Sequence, residues 1–580
     1  MNIATLVQPG WAGTDLTPLS ELDIAFAHLL QAVQPSADER HLWLAALVSH
    51  QWGRGHACWD MAEAVDMLAW PAQAMQALPA DLSQALPAMP WTQGPNSPLV
   101  LDGQRLYLRR AWNAEQTIRQ CLLQLQGQSI DPPALLDQHL QDLFGPVQAD
   151  DRQRQACAHA ATHAVTLITG GPGTGKTTTV VKLLRLLQAT SRQPLRTLLT
   201  APTGKAAARL AQAMAQVRST LPDHLAACLP QEAHTLHKLL QSSRQQPAPH
   251  LPADVVVVDE ASMIDLELMA RLLKAVPSHA RLVLLGDKDQ LASVEAGAVM
   301  AQLCQAPWLA AHTIALTHSH RFDASQGIGQ WAHAVNAGDS DRLQQLWQQA
   351  PEGCLPTGST VSRLTVRQSH HAQTLQQMRQ AWADWLAQLA PHLHGQAARD
   401  DQALALLTSF AKLGVLCALR EGPWGVKAFN AQIQQALGFA DAPWFTGRPV
   451  MARRNDYTLG LMNGDVGLCL PCAVGTEVRL RVAFADGQGG VTWQVPSRLA
   501  DMDTVFAMTV HQSQGSEFEQ VLLVLPDTPS PLLTRELVYT GLTRARQQLC
   551  VWAPEPGLLG PACSRTVQRS GGLSVAKSDA

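Results

Sequence analysis

A glycine-rich segment between a predicted strand and a predicted helix constrains the fold of this chain more than any other feature. Residues 165–169 are typical of a short buried strand, and residues 178–189 of a helix. Glycines let backbone N–H groups point at phosphates, the helix N-terminus adds its dipole, and a lysine reaches the β- and γ-phosphates. Between strand and helix lies a complete phosphate-loop pattern: Gly170, Gly171, Pro172, Gly173, Thr174, Gly175, Lys176 and Thr177.

Two other strand ends carry the groups that such a loop needs. Asp259 and Glu260 directly follow the valine run 255–258. We expect Thr177 and Asp259 to hold Mg²⁺, and Glu260 to orient or deprotonate an attacking water. A third predicted strand, 281–285, leads to Gln290, whose amide is a candidate sensor of the γ-phosphate or the water. An acidic strand end is common by itself, but downstream of a phosphate loop it predicts a site for ATP and Mg²⁺.

The pattern of apolar residues predicts several domains in these 580 residues. Residues 1–110 are predicted to form a helical domain, either a contact module or a packing extension, and residues 111–148 a helical connection. Residues 149–312 and 313–580 alternate short β-branched runs with helices, which predicts an α/β fold with two parallel sheets. Glycine-rich turns at 447–505 predict a small β-rich insertion in the second α/β domain.

Composition excludes several classes of protein. With 46% hydrophobic and 16% charged residues the chain is globular, and it has no apolar run of about 18 residues. We therefore expect a soluble, cytoplasmic protein with no membrane contact and reduced cysteines. The net charge of −4 means that any nucleic-acid site must be a local groove.

Two residue pairs have metal-ligand spacing but lack the rest of a metal motif. Cys469 and Cys472 form a CxxC pair without two further ligands at matching spacing. His159 and His163 are one helical turn apart, without the glutamate of a zinc protease. We interpret the cysteines as structural and the histidines as part of a helix surface.

A series of further motifs in a fixed order distinguishes this chain from other phosphate-loop proteins. After the loop come 201–207 (APTGKAA), 259–263 (DEASM), 286–291 (GDKDQL), 320–322 (HRF), 509–517 (TVHQSQGSE) and 538–546 (VYTGLTRAR). In this order they resemble the motifs of superfamily 1 helicases. Segments 416–425, 447–450 and 454–457, with 99–112 near the N-terminus, are similar to the RecD family, the alpha subunits of bacterial exonuclease V.

The resemblance assigns roles to residues that the patterns alone leave open. It implies two RecA-like P-loop motor domains, with an SH3-like β insertion in the second. Gln153 would contact the adenine, Thr178 and Glu517 would join the nucleotide-binding set, and Arg321 and Arg544 would reach the γ-phosphate. The single-strand track would include Thr203, Lys205, Thr235, His237, Asn430, Thr509 and His511, with Trp424 as a base-stacking candidate; Gln512 replaces a frequent lysine.

The same resemblance implies a 5′ to 3′ motor on single-stranded DNA that assembles with RecB and RecC and processes DNA ends in recombinational repair. The N-terminal region, which includes Trp11, Trp43, Trp52, Trp59, Trp70 and Trp91, would contact RecC. A stand-alone RecD-like helicase is an alternative, although the N-terminal region lacks repeated glycine-centred hairpins. A nuclease is disfavoured because no lysine has Asp, Glu or Gln two residues before it, and a dead ATP site because all expected groups are present.

Overall fold

The computed structural model describes residues 19–61, 81–147, 151–219, 226, 229–240, 250–319, 321–322, 326–356, 358–366, 372–456, 458–487 and 489–575. Trp11 and Trp70 therefore lie outside the described residues. Among the helices within these ranges, none is both long and apolar enough for a bilayer crossing.

The N-terminal domain combines helices with a small sheet. Its helices are Glu21–Val33, Glu39–Gly53 and Leu82–Ala85, and its strands are β1 (Cys58–Asp60), β2 (Leu99–Asp102) and β3 (Arg105–Leu108). The sheet is antiparallel in the order β1-β3-β2, and the sequence analysis had predicted only the helices. Trp43, Trp59 and Trp91 are buried in the core between helices and sheet. Core packing therefore explains these three tryptophans.

The predicted connection is part of the first motor domain. Its helix Arg109–Gln126 buries Ile118, Leu122 and Leu125 in the same core as helix Leu266–Ala275. A second helix, Leu136–Phe144, packs on the helix that follows the phosphate loop. The segment is hence a packed element rather than a linker.

The first motor domain is built on one parallel sheet. Its strands are β4 (Val165–Gly170), β5 (Thr197–Ala201), β6 (Ala233–Thr235), β7 (Val255–Val258), β8 (Arg281–Gly286) and β9 (Thr313–Leu316), in the order β6-β5-β7-β8-β4-β9. The helices are Arg152–Thr162, Lys176–Thr190, Gly204–Arg218, Leu236–Leu239, Leu266–Ala275 and Val299–Gln305. The boundary predicted at residue 312 was wrong by one strand, because β9 pairs with β4.

The described residues of the second motor domain and its insertion form the strands β10 (Val361–Leu364), β11 (Leu413–Cys417), β12 (Pro449–Ala452), β13 (Val466–Val474), β14 (Glu477–Ala485), β15 (Val491–Gln494), β16 (Met502–Thr504), β17 (Ala507–Thr509), β18 (Phe518–Val524) and β19 (Ala545–Trp552). Its parallel sheet has the order β10-β19-β18-β11-β17. The helices are Gly327–Ala337, Ser340–Gln349, Ala372–Ala381, Ala383–Leu393, Asp400–Phe410, Val426–Ala436, Arg535–Leu542 and Leu559–Ser564. Two parallel-sheet domains confirm the predicted fold class.

The insertion is an antiparallel sheet in the order β15-β14-β13-β12-β16. Its strands lie within residues 449–504, as the glycine-rich turns predicted. Cys469 is buried in its apolar interior and Cys472 is half-buried, and both are free thiols. Within the described residues neither belongs to a cluster of metal-ligating side chains.

The C-terminal segment 565–575 leaves the second motor domain, and we call it the strap. Ser570 N donates to His56 Nδ1 (3.1 Å), Gly572 N donates to Glu115 Oε1 (2.9 Å), and the Leu573 side chain is buried in the core of the first motor domain. The prediction that residues 313–580 form one domain is therefore wrong for the strap. Local pattern carries no information about which distant surface a tail covers.

Candidate active site and nucleic-acid interface

The candidate site lies where the carboxyl ends of three strands meet. Strand β8 lies between β4, which leads into the phosphate loop, and β7, which leads to Asp259. Asp287, the residue after β8, is therefore between the loop and the acidic pair. Its carboxylate is 1% exposed and accepts hydrogen bonds from Gln290 Nε2 (3.0 Å) and Tyr539 Oη (3.2 Å).

The phosphate loop needs glycine at its tightest positions. Gly173 and Gly175 have φ values of +78° and +83°, a region that side chains rarely occupy. A Cβ on Gly171 would lie 2.7 Å from the Tyr539 hydroxyl. Lys176 starts the following helix, and its Nζ donates to the carbonyl of Gly170 (2.6 Å) and to that of Gly171 (3.1 Å).

The acidic pair, Asp259 and Glu260, is half-buried and adjacent in the chain. Burial and the adjacent charge of Glu260 raise the pKa of Asp259 to about 6, although Lys176 acts in the opposite direction. Glu260 has a left-handed backbone, with φ +52°, which turns the chain sharply after β7. Because the strand delivers both carboxylates to one point, they share the electrostatic environment of the lysine.

Arg544 reaches the same site from the second motor domain. It is 2% exposed, and its guanidinium donates to the carbonyls of Thr540 (3.1 Å) and Ser516 (3.2 Å). Burial lowers its pKa, while the carboxylates of Glu260 and Glu517 raise it. These backbone contacts hold the guanidinium in a fixed direction.

Glu517 lies at the centre of a cluster of three arginines, Arg209, Arg321 and Arg546. Its carboxylate is 3.1 Å from Arg209 Nη2, 2.9 Å from Arg321 Nη2 and 3.0 Å from Arg546 Nε. Burial by itself would raise the pKa of Glu517, but Arg209 and Arg321 lower it to about 2. Glu517 therefore links helix Gly204–Arg218 of the first domain to two arginines of the second.

One cavity of about 880 Å³ brings these groups together. Gln153 lines it and also donates to the Thr174 carbonyl (3.2 Å). Gly170 and Thr174 belong to the same loop but do not line the cavity. Within the loop, Thr174 Oγ1 donates to the Gly171 carbonyl (2.8 Å). Of the predicted residues, the cavity is lined by Gln153, Gly171, Pro172, Gly173, Gly175, Lys176, Thr177, Thr178, Asp259, Glu260, Gln290, Arg321, Glu517 and Arg544.

The donors and acceptors at this cavity fit a nucleoside triphosphate with a divalent cation. Glycines, two lysines and three arginines line the cavity, which suits the negative charge of phosphates. Thr177 and Asp259 offer a hydroxyl and a carboxylate, the oxygen ligands that Mg²⁺ prefers. The raised pKa of Asp259 fits as well, because a cation would offset the repulsion that causes part of it.

The predicted DNA-track residues of the first domain occupy two kinds of position. Thr203 and Thr235 are N-cap residues whose hydroxyls accept from Ala206 N (3.2 Å) and Lys238 N (3.3 Å). His237 is exposed on the following turn. Lys205 is half-buried, and partial burial lowers its pKa although Asp465 of the β insertion raises it.

The predicted track residues of the second domain are largely engaged within the protein. The amide of Asn430 bonds the Val426 carbonyl (3.0 Å) and both the carbonyl (2.9 Å) and N–H (3.0 Å) of Ala507. Thr509 is hydrogen-bonded to Gln512, whose Oε1 accepts from Thr509 N (2.9 Å). His511 is half-buried, and burial lowers its pKa. Asn430 thus has the geometry of a clamp between helix Val426–Ala436 and β17.

The suggestion that Trp424 stacks on bases was wrong. Its ring is 3% exposed and packs edge-on against Trp552, with 5.4 Å between ring centroids. The ring belongs to the core of the second motor domain, together with Phe429 and Trp552.

Sequence reasoning missed three residues of the site. Arg209 lies on the helix that begins after Thr203, on the turn facing the cavity, so its helical spacing from that motif was an available signal. Asp287 lies inside a quoted motif, but only the sheet order shows that it is central. Tyr539 bonds Asp287 across the two domains, and no sequence signal identifies such a partner.

Family models match three parts of the chain. The AAA domain model matches residues 153–296, the N-terminal domain of RecBCD enzyme subunit RecD matches residues 15–107, and the UvrD-like helicase C-terminal domain matches residues 504–552. The three matches fall on the first motor domain, the N-terminal domain and the second motor domain.

Individual proteins are similar over longer stretches. The RecBCD enzyme subunit RecD of Mycobacterium tuberculosis is 36% identical over 95% of this chain and 94% of its own length. The ATP-dependent RecD2 DNA helicase of Deinococcus radiodurans is 33% identical over 69% of this chain but 48% of its own length. Among solved structures, the Pif1 helicase from Candida albicans covers 71% of this chain and 97% of its own, at 16% identity and a TM-score of 0.36.

The two parallel-sheet domains, their shared phosphate-loop cavity and the similar RecD and RecD2 proteins define an ATP-dependent DNA helicase. Within that class, similarity to a RecD protein over nearly the whole length of both chains identifies the family. This chain belongs to the RecD family of RecBCD enzyme subunits.

Proposed function

We propose that this protein is a motor that moves 5′ to 3′ along single-stranded DNA within a RecB–RecC–RecD assembly that processes double-strand ends for recombinational repair. The observation that carries the motor proposal is that Arg321 and Arg544 of the second domain line the same cavity as Lys176 and Glu260 of the first. Hydrolysis then depends on how the two domains meet. The direction of movement rests on the family resemblance.

Each residue at the cavity has a definite task in this proposal. The loop N–H groups and Lys176 bind the β- and γ-phosphates, and Gln153 contacts the base. Thr177 and Asp259 would hold Mg²⁺, which when bound neutralises phosphate charge. Glu260 accepts a proton from the attacking water, and Gln290 orients that water. Arg544 and Arg321 stabilise charge on the transferred phosphoryl group, and Glu517 positions Arg321.

Movement on DNA would follow from changes at the contacts between the domains. Three hydrogen bonds cross beside the cavity: Tyr539 Oη to Asp287, Leu291 N to Thr540 Oγ1 (3.0 Å), and Gln514 Nε2 to the Leu291 carbonyl (2.8 Å). Gln514 and Thr540 belong to the segments that also carry Thr509, His511 and Arg544. A change in the nucleotide site can therefore be transmitted along a short stretch of chain to the proposed single-strand track. The residues proposed to contact the strand in this track are Thr203, Lys205, Thr235, His237, Thr509 and His511.

Assembly with RecC would use the N-terminal domain. Helix Glu21–Val33 exposes Leu22, Leu29 and Val33, with 74%, 61% and 69% of their surfaces accessible, and apolar residues at this spacing share one helix face. A Leu29→Asp variant should lose co-purification with RecC, whereas Leu123→Asp, at another exposed leucine of a helix, should retain it. Equal capture of both variants would contradict docking through this face. The cytoplasmic location remains a prediction.

Direction and dependence on partners can be tested together. The purified chain, alone and with RecB and RecC, is given duplexes with a 5′ or a 3′ single-stranded tail, and Lys176→Gln controls for contaminating helicases. We expect unwinding of the 5′-tailed duplex only, and co-elution with both partners on gel filtration. Unwinding of the 3′-tailed duplex would contradict the direction, and full activity without co-elution would favour a stand-alone helicase.

A further inference from the structure

Three histidines that are distant in sequence meet on the side of the first motor domain opposite the cavity. His159 is on helix Arg152–Thr162, His163 is its C-cap, and His312 directly precedes β9. The interpretation of His159 and His163 as an ordinary helix surface considered these two residues alone and did not include His312. Among the described residues, these three histidines form a cluster of metal-ligating side chains whose ligand atoms lie within 4.8 Å of one another.

The three rings form a compact group. The rings of His159 and His163 are stacked, with 3.9 Å between centroids and planes 4° apart. The ring of His312 stands edge-on to both, at 5.2 Å from His159 and 5.3 Å from His163. Tetrahedral coordination at Zn–N distances of about 2.0–2.1 Å places nitrogen atoms about 3.3–3.4 Å apart. To bind one ion, ligand atoms that now lie within 4.8 Å of one another must move closer, and the stacked rings of His159 and His163 must tilt until their lone pairs converge.

Hydrogen bonds occupy one nitrogen of His159 and one of His163. His159 Nδ1 is 3.0 Å from Thr166 Oγ1, and His163 Nδ1 is 3.1 Å from the His159 carbonyl and 2.9 Å from Thr162 Oγ1. His159 Nε2 and His312 Nδ1 are buried without a partner in hydrogen-bond geometry. An outer contact on one nitrogen, which fixes the tautomer and leaves the other free, is how metal-binding histidines are usually held.

We propose that His159, His163 and His312 bind one divalent transition-metal ion of the zinc class, with water in the fourth position. The ion joins the end of helix Arg152–Thr162 to the segment that enters β9. The other end of this helix carries Gln153, which contacts the phosphate loop. The site is structural and separate from the carboxylate site for Mg²⁺.

The test is a Zn²⁺ titration of the full chain against a chromophoric chelator, with excess Mg²⁺ present so that oxygen-ligand sites are filled. We expect one Zn²⁺ per chain, with affinity at least about tenfold weaker in His163→Ala and His312→Ala. His394→Ala is the matched control, because His394 is also an exposed helix C-cap whose Nδ1 bonds the carbonyl four residues earlier. It should bind like the wild type.

Two further measurements test whether the variant is folded and whether a cysteine binds the ion. His163 is on the solvent side, so its variant should fold; Zn²⁺ should raise the melting temperature of the wild type and of His394→Ala but not of His163→Ala. Co²⁺ in place of Zn²⁺ should show no thiolate charge-transfer band. Affinity of His163→Ala within twofold of the wild type, or a thiolate band lost with a cysteine variant, would overturn the proposal.

Discussion

The two motor domains contribute to the cavity in different ways. The first supplies Lys176 after β4 and Asp259 and Glu260 after β7, with β8 between these strands, so sheet geometry alone brings them together. The second supplies Arg321 and Arg544, which are held by Glu517 and by backbone carbonyls. The first half of the site is thus built by the fold, and the second by the contact between domains.

This difference separates binding from hydrolysis. Groups of the first domain are expected to hold the nucleotide whatever the second domain does. Cations of the second domain are expected to act on the reaction only when the domains are together. Each substitution proposed here changes a residue of one domain only.

The largest effect is expected for Lys176→Gln. Losing the charge that faces the β- and γ-phosphates should reduce DNA-stimulated ATP hydrolysis to background and weaken nucleotide binding. Assembly with RecB and RecC should persist. Steady-state ATPase assays and gel filtration measure both, with Lys274→Gln, at an exposed helical lysine of the same domain, as control. Normal turnover would refute the assignment of the loop.

A smaller effect, on stability as well as activity, is expected for Glu517→Gln. The folded-state pKa of about 2 is below the ordinary 4.5, so the carboxylate stabilises the fold above pH 4.5 and loses this contribution as pH falls towards 2. The difference corresponds to roughly 3 kcal/mol at neutral pH.

Urea unfolding of Glu517→Gln and wild type between pH 7 and pH 3 measures this contribution. The free-energy gap should be largest at pH 7 and shrink with acid, while Glu519→Gln on the same strand should show a gap of less than about 0.5 kcal/mol. A gap that does not depend on pH would mean that charge is not what Glu517 contributes.

Tyr539→Phe removes one hydroxyl that bonds Asp287 across the domains. A single hydrogen bond contributes about 0.5–1.5 kcal/mol, so turnover at saturating ATP should fall about two- to tenfold. Tyr107→Phe removes the same group from a hydroxyl that donates to Glu115 (3.1 Å), away from the cavity. Tyr539→Phe should therefore hydrolyse ATP more slowly than Tyr107→Phe in ATPase assays. Equal turnover in both variants would count against a functional contact between the domains.

The smallest effect on DNA is expected for Trp424→Leu. The buried ring packs on Trp552, so the variant should lose unfolding free energy but keep its affinity for single-stranded DNA within about twofold. Fluorescence anisotropy with a labelled oligonucleotide measures the affinity. A loss of about 1–3 kcal/mol in binding, the scale of one base–aromatic stack, would restore a DNA role for this residue.

Contiguous motifs were predictable because their chemistry is local. The phosphate loop, the strands β7 and β8, and the cap positions of Thr203 and Thr235 depend on a few neighbouring residues whose types fix backbone shape. The β insertion was also predictable, since its turns require glycine.

Contacts between distant segments were not predictable from one sequence. Arg209 meets Glu517, His312 meets His159, and the strap meets His56 only after the sheets have formed. The pairing of β9 with β4 is of the same kind. Trp424 shows the converse error, since a residue type suited to stacking on bases is equally suited to a core.

The central claim is that hydrolysis needs a cation from the second domain while nucleotide binding does not. Arg544→Ala tests it, with Kd for a non-hydrolysable ATP analogue and kcat at saturating ATP measured on the same sample. Arg546→Ala is the control, because Arg546 also contacts Glu517 but does not line the cavity. The account predicts an almost unchanged Kd and a kcat about 10³-fold lower for Arg544→Ala alone. A weaker Kd with normal kcat at saturation would contradict it.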